Sequence, residues 1–431
     1  MRLSLRSLLA LGALGAPFTA ACFADTSNPI VTQLDPRIRW VSELGTPVYY
    51  GSPALSADGL TVYLGTSSST LGAVPQQHKF VALEVATGAL RWSYALGLAE
   101  VRSSPAVAPD GSVTFVVEER NASGGFVTSA AVRVSSAGGL VWRRALGIAG
   151  GGVDVGYSAP AIGSDGSVYV ASDSLYALNP NGTIRWTRFS TGEDLRASPV
   201  VGGDGTIYFV SRTLPLTAMH PDSGRVLWER ALGTQTHVFA SPAIGTDGTL
   251  YVATDDCVLY AVSATGEDRW SYDAGTSGST CAMRSSPAVG ADGTIYLGTV
   301  DRSPRPILFA IRANGTLRWT YNPSGLPIDV GPSSFDIYSS PAIGSDGAVY
   351  FGHEFGRVYA IDGQSGAERW VVKAKTGVGF IWSSPVLTLG GVLILSDIEG
   401  RVHAITTESA GLQGTAGWPR HRGGNRGAGR R

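Results

Sequence analysis

The stretch SSPAIGSDGAVYFG, Ser339–Gly352, decides the fold because it recurs. YSAPAIGSDGSVYVAS begins at Tyr157, ASPAIGTDGTLYVAT at Ala240 and SSPAVGADGTIYLGT at Ser285. Alignment on the dipeptide ending in Pro gives eight copies, spaced 39 to 55 residues apart: Ser52-Pro53, Ser104-Pro105, Ala159-Pro160, Ser198-Pro199, Ser241-Pro242, Ser286-Pro287, Ser340-Pro341 and Ser384-Pro385. A turn follows in each. It is Asp-Gly at Asp58, Asp110, Asp165, Asp204, Asp247, Asp292 and Asp346, and Gly390-Gly391 in the last copy. Asp-Gly between alternating apolar runs signals a tight hairpin, and the expectation is a type I′ turn with positive φ at both central residues.

Alternating β-branched runs such as TIYFV and SVYVA come next and read as a second strand. A variable loop leads to a third strand, for example Leu259–Val262 or Val358–Ile361, and then to a second Gly turn. Four residues after that Gly stands a Trp: Trp92, Trp142, Trp186, Trp228, Trp270, Trp319 and Trp370. Each unit is therefore a four-stranded antiparallel meander of about 45 residues, a propeller blade. Blade-on-blade stacking explains how 431 residues pass the size at which a single core stops growing. RIRWVSELG, Arg37–Gly45, parallels ALRWSYALG, Ala89–Gly97, yet precedes the first Ser-Pro. The predicted fold is an all-β, eight-bladed propeller whose N-terminal strand, bearing Trp40, completes the last blade and closes the ring. Gly414 to Trp418 has the same spacing and competes for that place. One Trp per blade reads as glue between blades.

Net charge is −1, which gives no overall attraction for nucleic acid or an anionic membrane. Residues 1–24 read as a signal peptide, with Arg2 and Arg6 ahead of an apolar Leu8–Ala16 and small residues after it. Residues 25–36 form a linker, 37–418 the propeller, and 419–431 a basic Gly-rich tail expected to be frayed and solvated. The expected location is periplasmic or secreted. Thr19 stands where lipoprotein signals carry Leu or a similar residue, which argues against lipid attachment at Cys22. In an exported chain Cys257 and Cys281 are a candidate disulfide.

The pattern SSPAxGxDGTIYxGT…LYAL…TGxxRW over residues 37 to 418 resembles the PQQ-like (pyrroloquinoline quinone) repeat. That family's eight-bladed propellers include quinoprotein alcohol dehydrogenases and non-enzymatic BamB-like proteins of outer-membrane assembly. The enzymatic branch implies a quinone with calcium, under a ring of two adjacent cysteines. This chain has no adjacent cysteines, and its calcium ligands cannot be placed, so no cofactor, metal or catalytic residue is assigned, and pyrroloquinoline quinone with calcium stays as the alternative. The BamB-like branch implies a protein partner. Leu195-Arg196 ahead of Ser198-Pro199 is the nearest feature to its partner-binding Leu-Arg pair.

In a meander the second turn and the inter-blade link share one face of the disc, and here that face carries the variable loops. Three residues before each repeat Pro stand Tyr50, Arg102, Tyr157, Arg196, Phe239, Arg284, Tyr338 and Trp382. Arg alternating with aromatics at a channel mouth suits a planar anion or a peptide carrying carboxylates, through forked hydrogen bonds and stacking. Glu100, Asp194, His237 and Asp336 lie two residues further upstream as candidate neutralising groups. The expected function is an exported, monomeric binding or scaffold propeller with a protein partner. The alternatives are a quinone-dependent oxidoreductase and a small-molecule or glycan-binding propeller.

Overall fold

The computed structural model describes residues 35–67, 77–123, 125–147, 158–189, 195–211, 214–233, 238–275, 281–300, 308–323, 337–353, 355–374, 380–416, 418–424 and 427–429. The signal peptide, Cys22 and nearly all of the linker lie outside them, as do Tyr157, Asp194, His237 and Asp336.

Eight four-stranded antiparallel sheets form the eight blades of a propeller, each ordered from inner to outer strand. Blade 1 comprises Ala54–Leu55, Thr61–Gly65, His78–Glu84 and Leu90–Gly97. Blades 2 to 7 open with the inner strands Ala106–Val107, Ala161–Ile162, Val200–Val201, Ala243–Ile244, Ala288–Val289 and Ala342–Ile343. Blade 8 takes Val386–Leu387, Val392–Ser396 and Arg401–Thr406, and its outer strand is Ile38–Glu43 from the other end of the chain. Trp40 faces Ala404 in that pairing, so it holds the closing position over which Trp418 competed.

The Asp-Gly turns are not type I′. In blade 5 Gly248 has φ +82°, whereas Asp247 is not in the left-handed region. Gly248 N–H donates to Gly245 O at 3.0 Å and Gly245 N–H to Thr249 O at 2.7 Å. This is a three-residue loop, a type I turn followed by a left-handed Gly. The Asp side chain accepts the Thr249 N–H at 3.0 Å. It also accepts from Arg269 of the outer strand at 2.6 Å. The same Arg-to-Asp latch recurs as Arg318–Asp292 at 2.6 Å and Arg369–Asp346 at 2.8 Å.

The second and third strands are buried on both sides, as in Val168–Ala171 and Leu175–Leu178, because a neighbouring blade covers each face. The Trp residues sit further out and most are half-buried. Each reaches into the next blade. Trp228 Nε1 donates to Ala264 O at 2.9 Å, Trp270 to Ala313 O at 2.8 Å and Trp40 to Val85 O at 3.0 Å. Trp92, Trp142, Trp186 and Trp319 make the equivalent bond, and Trp370 donates to the Glu408 carboxylate at 3.1 Å.

Candidate binding site at the channel mouth

The innermost layer is built by the Ser of each Ser-Pro. The N–H of one such Ser donates to the hydroxyl of the next blade's Ser: Ser198 to Ser241 at 3.1 Å, Ser241 to Ser286 at 3.0 Å, Ser286 to Ser340 and Ser340 to Ser384 at 2.9 Å. Ser384 to Ser52 at 2.8 Å carries this belt across the closure, and Ser52 to Ser104 at 3.0 Å continues it. Ala159 donates to Ser198 at 2.9 Å but has no hydroxyl to accept from Ser104, so the belt is broken between blades 2 and 3. The Ser was visible in the sequence as a position marker. Its bonding role needs ring closure to be seen.

Above the belt, Tyr50, Arg196, Phe239, Arg284, Tyr338 and Trp382 line one pocket of about 140 Å³. The pocket has two halves. On one side Phe239 lies between two guanidiniums, with Arg196 Cζ 5.0 Å and Arg284 Cζ 4.9 Å from its ring centroid. Arg284 continues to Tyr338, 5.9 Å away, and lies 3.8 Å from the Asp255 carboxylate. On the other side Trp382 packs on Tyr338 at 5.1 Å, Tyr50 at 4.8 Å and Tyr49 at 4.7 Å. Tyr50 takes φ 65°, a conformation that costs a bulky residue about 1–3 kcal/mol and is kept where the surroundings impose it.

Arg102 is a correction. It does not line the pocket. It is only 3% exposed and lies 3.2 Å from Glu100. Arg120 bridges the same Glu100 at 3.2 Å and Glu118 at 2.7 Å. Blade 2 has a long hairpin, Val113–Arg120 with Phe126–Val134, and it brings a second buried carboxylate that draws the guanidinium inward. His78 lies 3.9 Å from Glu100, and burial holds its imidazole below the usual range.

Cys257 and Cys281 are joined by a disulfide with Cα atoms 5.7 Å apart. It ties the second turn of blade 5 to the link that delivers Arg284.

The tail is the second correction. Most of its described residues are buried or half-buried, and Gly424 is exposed. Trp418, Arg420 and Arg422 are among the most buried side chains in the molecule. Trp418 bridges Val289 of blade 6, and Pro419 O accepts from Ile343 of blade 7 at 2.8 Å. Ala428 O and Gly429 O accept from Ile162 and Val201 of blades 3 and 4, both at 2.8 Å. The inner strands are sheet edges with open backbone groups, and the tail satisfies them. His421 forms part of the mouth's lining. Burial and the charges of Arg422 and Arg420 hold it well below the usual range, so it is neutral.

The quinone–calcium group of the enzymatic branch does not fit these residues. Among the described residues no three His, Cys, Asp or Glu converge as a metal site. The two bonded cysteines are 24 positions apart rather than adjacent, and the channel below the mouth is filled by the tail.

The geometry defines a plugged propeller with a blind axial pocket. Residues 171–409 match the family model described as outer membrane protein assembly factor BamB, more than half of the chain, and the protein belongs to that PQQ-like propeller family. The crystal structure of BamB from Moraxella catarrhalis is 15% identical, with a TM-score of 0.57 over 86% of this chain and 97% of that one. A europium-containing methanol dehydrogenase is 13% identical, with a TM-score of 0.57 over 83% and 84%. The C-terminal WD40 domain of Sif2 is 12% identical, with a TM-score of 0.60 over 86% and 99%. These likenesses show the fold alone. No curated protein matches the chain. No helix among the described residues is long and apolar enough to cross a membrane.

Proposed function

We propose that the protein is an exported scaffold of the cell envelope that grips a protein partner at the channel mouth. The observation that carries this is the divided pocket. Arg196 and Arg284 flank Phe239 on one side, and Trp382 with Tyr50 and Tyr338 forms an apolar wall on the other. Such a pair of walls suits a segment carrying a carboxylate beside an aromatic or apolar side chain, through forked charge-assisted bonds and stacking. Membership of a family that includes an assembly factor supports a binding role, and the N-terminal sequence supports export.

The test places a photo-crosslinking amino acid at Phe380, beside Trp382, in the full chain in its own cells. One discrete protein adduct is expected, reduced at least tenfold by Arg196→Ala with Arg284→Ala. No adduct, or one unchanged by the double substitution, refutes the reading.

A further inference from the structure

Just below the serine belt, at the level of the repeat Pro, the channel has a one-sided chemistry. Each inner strand is preceded by the repeat Pro, which presents a carbonyl and no N–H. The Ser N–H groups at that level are mostly consumed sideways in the belt. At the level of the repeat Pro the axis therefore offers acceptors, while two residues further along the inner strands the N–H groups of Ile162, Val201, Val289 and Ile343 donate to tail carbonyls. Arg420 Nε donates to Pro385 O at 3.0 Å and Nη2 to Pro53 O at 3.5 Å, so one guanidinium spans blades 8 and 1, where the ring closes. Arg422 Nη1 donates to Ala159 O at 2.6 Å and Nη2 to Pro160 O. The tail's own carbonyls, Gly424 O and Gly427 O, take the remaining donors at 3.0 and 3.1 Å. Among the described residues, two cations thus lie almost fully buried on backbone oxygens. The Pro-level carbonyls call for a side chain made only of donors, on a backbone whose own carbonyls accept from the inner strands. A guanidinium is such a group, and its planar fork reaches two carbonyls at once where an ammonium is a point charge.

We propose that this carbonyl collar is a receptor for guanidinium groups carried on a tight peptide turn, here closed by the Gly423 N–H on Arg420 O at 3.0 Å with Arg422 at φ 65°, and that the C-terminal tail is its resident ligand in cis. The recognised unit is Arg-x-Arg. Gly427 serves the fit. It has φ 59°, and a Cβ there would lie 2.7 Å from Pro105 O. This inference is independent of the mouth reading, since no mouth aromatic takes part.

Two measurements on the full chain test it. Trypsin is expected to cut after Arg420 and Arg422 at least a hundredfold more slowly than in a synthetic peptide of residues 414–431. Equal rates overturn the proposal. Second, a labelled peptide of residues 418–431 is titrated into the Arg420→Ala/Arg422→Ala chain. Binding at 1:1 is expected, at least tenfold tighter than to the wild-type chain and than that of a peptide with Lys at both positions. Equal binding of the Arg and Lys peptides, or of neither, overturns it. Should the double variant not fold, Arg422→Lys in the full chain decides. It is expected to raise tryptic release of the tail at least tenfold, and an unchanged rate counts against the collar.

Discussion

Gly266 shows how much one missing atom matters at a blade interface. Its φ is +89°, and a Cβ there would lie 2.8 Å from the Trp228 ring of the preceding blade. Gly266→Ala combines left-handed strain with a displaced indole, and is expected to cost about 1–3 kcal/mol. Gly203→Ala, which meets nothing within 4 Å, is the control and is expected to be near neutral. Urea midpoints of the two variants check this. The Gly-to-Trp spacing was plain in the sequence. What it could not show is that each Gly serves the Trp of the blade before it. Arg102 failed for a related reason. Its place in the repeat matches Arg196 and Arg284, but Glu118 on a neighbouring strand outweighs the pattern, and that strand pairing lies outside a one-dimensional alignment.

At the scale of the element, the repeat was readable and its turn type was not. Asp-Gly fits two hairpin geometries, and the extra loop residue is chosen by the Asp side chain, which caps the backbone and receives the outer-strand Arg. The Arg of each Arg-Trp pair stood in the aligned sequence, but its partner across the blade is set by register. These latches are exposed and each contributes little. The disulfide matters more. Closing a loop of this length limits the unfolded chain by about 3 kcal/mol in the entropy model. Cys257→Ser with Cys281→Ser is expected to lower stability by about that amount in denaturant titrations. It also frees the link to Arg284, so photo-adduct formation at the mouth should fall along with stability.

For the whole molecule, three histidines far apart in the chain set the acid limit. Burial, aided by the Arg357 charge, pushes His353 down to about 3, and His78 and His421 are lowered as well. For His353, between about pH 6.5 and 3 the unfolded chain binds the proton and the native chain does not, so stability falls as pH falls through that window; His78 and His421 act in the same direction below pH 6.5. His353→Leu removes one such site. Its urea stability should decline less steeply from pH 6.5 to 4 than that of the wild type, by about 1.4 kcal/mol per pH unit. A parallel decline places the acid sensitivity elsewhere. At this scale eight blades and their closure were legible, because periodicity alone encodes them. The tail was not. Thirteen residues, mostly Arg and Gly, carry the composition of a solvated end, and only the open backbone groups of the inner strands make the described ones a fitting stopper.

The uneven mouth carries a last consequence. A ring of eight equal blades would offer a visitor on its axis eight indistinguishable ways to dock, and binding would convey no direction. Here the guanidiniums gather over blades 4 and 6 and the indole and phenols over blades 7, 8 and 1. That polarity leaves one heading for an occupant with a charged end and an oily end. On the proposed reading the protein is a compass as well as a clamp: a partner held there leaves the disc along a fixed bearing.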